Sequence, residues 1–129
     1  MPETTERLDR YLDECCDETV DQRLAALDRL ATEVDADRRE RELNVLSALA
    51  NETRYRLLRA LVAADGDLCV CELNEVVNVS ESAISHAMSA LTDAGLVSSR
   101  KDGRWKHYRA TNRAVAVVTV LDGAVADDH

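Results

Sequence analysis

Apolar residues recur every three or four positions along most of this chain, a period that predicts helix rather than strand. Leu8, Tyr11, Leu12 and Cys15 share such a spacing and predict a first helix from Thr5 to Cys16. A second is predicted over Val20 to Val34, with Leu24, Leu27, Leu30 and Ala31 on its apolar stripe. The polar run 35–42 leads into Leu43, Leu46 and Leu49, the apolar positions of a third. Asn51 is placed to cap a fourth, Glu52 to Ala64, built on Leu57, Leu58 and Leu61. After an Asp65-Gly66-Asp67 turn, a short helix is predicted from Cys71 to Val77, then a tight turn at Asn78-Val79-Ser80. Ser80 suits the N-cap of a helix over Glu81 to Ala94, with Ile84, Met88 and Leu91 facing inward and Gly95 at the C′ position. Residues 96–100 and 104–108 flank Lys101-Asp102-Gly103, which reads as a β-hairpin turning on a glycine. The segment from Asn112 to Val125 is apolar on nearly every side. Its β-branched residues permit a strand, but its length and an Asn112 cap favour a helix. So apolar a segment is expected to be covered, and a second copy of the chain is the expected cover.

The pattern is that of one mainly helical domain, and 129 residues can bury a core without disulfide staples. No stretch is apolar enough to span a membrane, and the acidic start Met1-Pro2-Glu3 does not read as a signal peptide. A cytoplasmic protein with no membrane partner is expected, its four cysteines held as thiols. The 25 acids outnumber the 16 bases for a net charge of −9, and only Lys101 and Lys106 among the bases are lysines. Such an acid-rich, lysine-poor surface suits a halophile's cytoplasm.

Against that background, residues 96–113 carry Arg100, Lys101, Arg104, Lys106, Arg109 and Arg113 and the single acid Asp102. A basic island in an acidic chain suggests a surface that meets phosphate. It lies on the hairpin, directly after the helix–turn–helix pattern. This order predicts a winged helix-turn-helix with a two-stranded wing. Glu81, Ser82, Ser85, His86 and Ser89 supply a small, polar outward face for a helix entering the major groove. Ser80, Ser82 and Ser85 lie at its N-terminal end, where backbone N–H groups and the helix dipole favour phosphate. Arg100, Lys101, Arg104 and Lys106 would contact the flanking backbone or minor groove of double-stranded DNA. No Ser-His-Asp order, carboxylate pair or phosphate loop stands out, so no enzyme activity or organic cofactor is expected. The expected organisation is an N-terminal helical extension (1–42), a winged helix-turn-helix (43–111) and a C-terminal dimerisation helix with an acidic tail (112–129).

Three stretches resemble the ArsR/SmtB family of metal-responsive repressors: Leu46 to Leu61, the box Leu68-Cys-Val-Cys-Glu-Leu73, and Val79 to Val97 with its Ser-Glu-Ser-Ala-Ile-Ser-His start. Arg100 to Tyr108 continues the likeness, which covers roughly residues 43–110. It implies a homodimer that holds an operator when metal-free and leaves it when a metal(loid) binds. It also implies that the first and last helices make the dimer contacts. Cys69 and Cys71 are then metal ligands, because thiolates select soft ions. Relatives that sense arsenic through this box alone have a third cysteine three residues after the second; here Asn74 stands there. Some relatives complete the site with N-terminal cysteines of the partner subunit, which points to Cys15 and Cys16. Arsenite or antimonite is the inducer so implied, with cadmium, lead or zinc as alternatives. A thiol–disulfide switch on the same cysteines is the rival reading.

Overall fold

The computed structural model describes residues 2–15, 19–33 and 35–126. Its order is α1 (Pro2–Cys15), α2 (Val20–Ala31), α3 (Ala36–Leu49), α4 (Glu52–Ala63), β1 (Leu68–Cys69), α5 (Val70–Val76), α6 (Glu81–Asp93), β2 (Val97–Asp102), β3 (Trp105–Ala110) and α7 (Asn112–Ala126). Two compact units divide after Arg39.

In the first unit α1 packs on α2. Thr19 caps α2 through a reciprocal box, its side chain accepting from the Gln22 N–H while the Gln22 side chain accepts from its own. No residue of α2 is buried, and Leu24 and Leu30 of its apolar stripe are exposed.

Helix α3 starts seven residues before Leu43, because the charged run consists largely of good helix formers and Asp35 caps it. The Asp35 carboxylate accepts from the Arg38 N–H at 2.7 Å. From Glu40 onward the chain belongs to the second unit. The core there is built from Leu57, Leu58 and Leu61 of α4, Leu73 of α5, and Ile84, Met88 and Leu91 of α6, closed by Leu96, Tyr108, Ala114 and Val118.

Three arginines donate to carbonyls at the C-terminal ends of helices α3, α5 and α6. Arg54 donates to the carbonyls of Ala48 (2.7 Å) and Ser47 (3.2 Å), Arg56 to Val76 (3.1 Å) and Arg113 to Ala94 (3.2 Å). A cation suits the negative end of a helix, and the guanidinium fork reaches two carbonyls at once. Arg113 is thereby engaged inside the fold. Arg59 pairs with Asp122 of α7 at 2.9 Å, and that hydrogen bond raises its pKa above the ordinary arginine value.

The helix–turn–helix joins α5 to α6. Ser80 caps α6, its hydroxyl accepting from the Ala83 N–H at 3.1 Å. Helix α6 ends on Gly95 at φ +75°, with Leu96 N–H donating to Leu91 and Gly95 N–H to Thr92. This is a Schellman closure, which requires a left-handed residue. A Cβ at Gly95 would also stand 2.8 Å from Arg113 Nη1. Gly95→Ala is therefore expected to cost roughly 1–2 kcal/mol, read as a lowered midpoint in thermal unfolding followed by circular dichroism.

The expected two-stranded wing is present as β2 and β3, and a third strand joins the same sheet. β2 and β3 pair from Val97↔Ala110 to Asp102↔Trp105, so the turn is Gly103-Arg104 and begins two residues beyond the predicted start at Lys101. Gly103, at φ +65°, takes the first turn position, as a type II′ hairpin prefers. β1 adds on the other side of β3, with Leu68↔Tyr108 and Cys69↔His107 in register. The helix favoured for the C-terminal segment is present as α7, but Thr111 rather than Asn112 precedes its first turn, its hydroxyl accepting from the Ala114 N–H at 3.4 Å. Val115, Val120 and Leu121 of α7 remain exposed.

Candidate functional site

Helix α6 divides cleanly by face. Ile84, Ala87, Met88 and Leu91 are buried, while Ser82, Ser85, His86 and Ser89 line one open groove on the opposite side. Glu81 and Ser80 stand at its start, and the Ser80 hydroxyl is occupied by its capping bond. A small, polar, uncluttered face is what entry into a major groove demands. The turn before it is stapled by Asn74, whose side-chain amide donates to the Val79 carbonyl at 2.7 Å. The residue that replaces a third cysteine thus holds the reader helix in its turn.

The wing bases separate into two groups. Lys101 and Arg104 have no ion-pair partner among the described residues, and Lys106 lies 5.6 Å from the Tyr108 ring centroid. These three sit at the hairpin tip. Arg100 and Arg109 are instead held from behind by one carboxylate. Arg100 Nε lies 3.1 Å from Asp67 Oδ2, and Arg109 Nε lies 3.0 Å from Asp67 Oδ1. The basic island is therefore a free tip on a clamped root. No sequence spacing announces that clamp.

The cysteine box sits where α5 begins. Cys69 is both the last residue of β1 and the N-cap of α5, and its N–H donates to Glu72 Oε1 at 3.0 Å. Cys69 is buried and Cys71 exposed. The two sulfurs are joined as a disulfide, with Cα atoms 5.4 Å apart. This corrects the expectation of free thiols: the change from extended backbone at Cys69 to helix brings residues two apart to the same side. Cys15 is disulfide-bonded as well, and Cys16 lies outside the described residues. Among the described residues no three of His, Cys, Asp and Glu gather as a metal site. In reduced form the box offers two soft donors, fewer than the three an arsenite pyramid takes. His107 is the register partner of Cys69 on β3.

A three-stranded antiparallel sheet folded against α5, its turn and α6 defines a winged helix-turn-helix. Comparison with known proteins narrows the class. Residues 51–99 match the model of the bacterial regulatory protein arsR family. A Halobacterium salinarum protein that bears the name of an arsenical resistance operon repressor, ArsR, is 49% identical over 125 residues, covering 94% of this chain and 97% of that one. The homodimeric winged helix-turn-helix DNA-binding domain of a Mycobacterium bovis protein matches with a TM-score of 0.59 at 29% identity, over 79% of this chain and 88% of that one. The antimony-specific transcriptional repressor AntR matches with a TM-score of 0.59 at 27% identity, over 74% and 85% of the two chains. The chain belongs to the arsR family, and is accordingly a DNA-binding transcriptional regulator and not an enzyme. No helix among the described residues is long and apolar enough to cross a membrane.

Proposed function

We propose that this protein is an ArsR-type transcriptional repressor of the cytoplasm. As a homodimer it holds operator DNA and releases it when arsenite or antimonite is bound by thiolates. The observation that carries this reading is the position of Cys69 and Cys71 at the junction of β1 and α5, the helix packed against the reader helix α6. A ligand pulling on those sulfurs acts on the helix–turn–helix directly. The names of the Halobacterium relative and of AntR favour a group-15 oxyanion over cadmium, lead or zinc.

The chemistry starts from the reduced box. Arsenite exchanges each hydroxyl for a thiolate: an As–S bond forms, an As–O bond breaks, and the thiol proton leaves with the hydroxyl as water. The oxidation state of arsenic is unchanged. Cys69 and Cys71 supply two sulfurs, and Cys15 or Cys16 is proposed to supply the rest. Coupling then requires only that the ligand bind the low-affinity state better than the operator-competent one. DNA contacts are assigned to Ser80, Ser82, Ser85, His86 and Ser89 on α6 and to Arg100, Lys101, Arg104 and Lys106 on the wing. The test is arsenite titration of the reduced protein, followed by thiolate charge-transfer absorbance. Cys15→Ser and Cys16→Ser are expected to lower the affinity for arsenite. Unchanged affinity and stoichiometry in both variants would remove those two residues from the site.

The exposed Val115, Val120 and Leu121 of α7 support a second copy as the cover for that face, as does the homodimeric Mycobacterium domain. Val120→Asp with Leu121→Asp is expected to yield monomers in analytical ultracentrifugation and to weaken DNA binding, since half-sites are read in pairs.

A second reading rests on the Cys69–Cys71 bridge. Oxidation would consume the sulfurs that arsenite needs and could itself reposition α5. Arsenite under reducing conditions separates the two readings, because only a metalloid sensor releases DNA there.

A further inference from the structure

We propose that Asp67 is a positioning residue that carries the state of the cysteine pair into the wing, a second output beside the reader helix. The proposal rests on the reading of Cys69 and Cys71 as the effector site. Asp67 lies two residues before Cys69, immediately ahead of β1. The β1–β3 register, Leu68↔Tyr108 and Cys69↔His107, continued by one residue, sets Asp67 opposite Arg109. Its carboxylate spends one oxygen on Arg109 of β3 and the other on Arg100 of β2, at 3.0 and 3.1 Å. The Asp67 side chain is only 15% exposed, against 59% for Arg100 and 66% for Arg109. A carboxylate so covered needs its partners, whereas the arginines could reach solvent or phosphate without it. In β2–β3 pairing Arg100 stands opposite His107 and Arg109 opposite Ser98, so both project from one face of the hairpin. One side chain thus fixes both strands at the root of the wing.

The lever is short. Tyr108 is buried in the core and holds the middle of β3. A displacement of Cys69 demanded by a ligand is passed forward into α5 and also back through Leu68 to Asp67, just ahead of β1. Movement of Asp67 releases or redirects Arg100 and Arg109, and with them the angle at which the tip meets DNA.

Trp105 is the only tryptophan of the chain, pairs with Asp102 next to the turn and is 57% exposed. It reports on the wing without a label. The experiment titrates the reduced full chain with arsenite while recording thiolate charge-transfer absorbance and Trp105 emission together. Wild type is expected to show both changes. Asp67→Asn is expected to keep the absorbance change and lose the emission change, and Asp67→Glu to restore it. A purely structural role would lower the melting temperature and leave that split absent. If Asp67→Asn does not fold, the Arg100→Gln/Arg109→Gln variant is expected to show the same split. An emission change of wild-type size in the folded variant overturns the proposal, as does a wild-type absorbance change with silent emission. Absence of the absorbance change in wild type overturns the effector-site reading itself, and the proposal with it.

Discussion

Cys69→Ser is expected to abolish the response to arsenite while leaving DNA binding within about twofold of wild type. The separation is possible because Cys69 has two jobs. It is a sulfur donor, and it is the N-cap of α5. Serine cannot replace the first role, since a hydroxyl is a hard, protonated donor with little affinity for arsenic. It serves the second better than cysteine, being among the preferred N-cap residues. Helix α5 and the Cys69–Glu72 contact should therefore survive, and the melting temperature should hold or rise slightly. Cys71→Ser, at an exposed position, is expected to behave alike without the capping compensation. The measurement uses a duplex selected from a random library by the reduced wild-type protein. Couplings between effector and DNA in such systems run to roughly 1–3 kcal/mol, a 5- to 150-fold loss of DNA affinity. That entire loss should vanish in Cys69→Ser. If arsenite still releases the duplex from both serine variants, the box is not the effector site.

How much of this was legible before the fold depends on the range of the interactions. Helix α6 could be read almost to the residue, because Ser80 and Gly95 act on their own neighbours in sequence. The Cys69/Cys71 pair was legible for the same reason, since two residues fix its spacing. β1 was not. Two residues carry no period, and Leu68 and Cys69 become strand only because Tyr108 and His107 lie beside them. The arginine caps share that limit: Arg56 reaches Val76 and Arg113 reaches Ala94 across about twenty residues of chain. Counted from sequence, Arg113 and Arg109 belong with the phosphate-facing bases; in the fold one closes a helix and the other is held by Asp67. Asn74 shows the reverse error. Its position stands out from the sequence only as a missing ligand, whereas its amide has a bond of its own to make.

The division of the basic island gives the second large effect. Lys101→Gln, Arg104→Gln and Lys106→Gln together remove the tip charges, and DNA affinity near 0.1 M salt is expected to fall on the order of 100-fold, because each phosphate contact releases close to one counterion. The slope of log affinity against log salt should become shallower by about 2–3. Arg113→Gln should leave that slope alone and lower stability, since its guanidinium serves the end of α6. His86→Ala or Ser89→Ala should change which duplex is preferred with little effect on the slope, as expected of groups that meet base edges. The contrast matters for a chain of net charge −9. At high ionic strength the acidic surface and the tip alike are screened within a few ångströms. Affinity there must then rest on the α6 face, so the triple variant should lose progressively less as salt rises. A salt slope unchanged by the triple variant would mean that the wing tip does not lie on the DNA backbone.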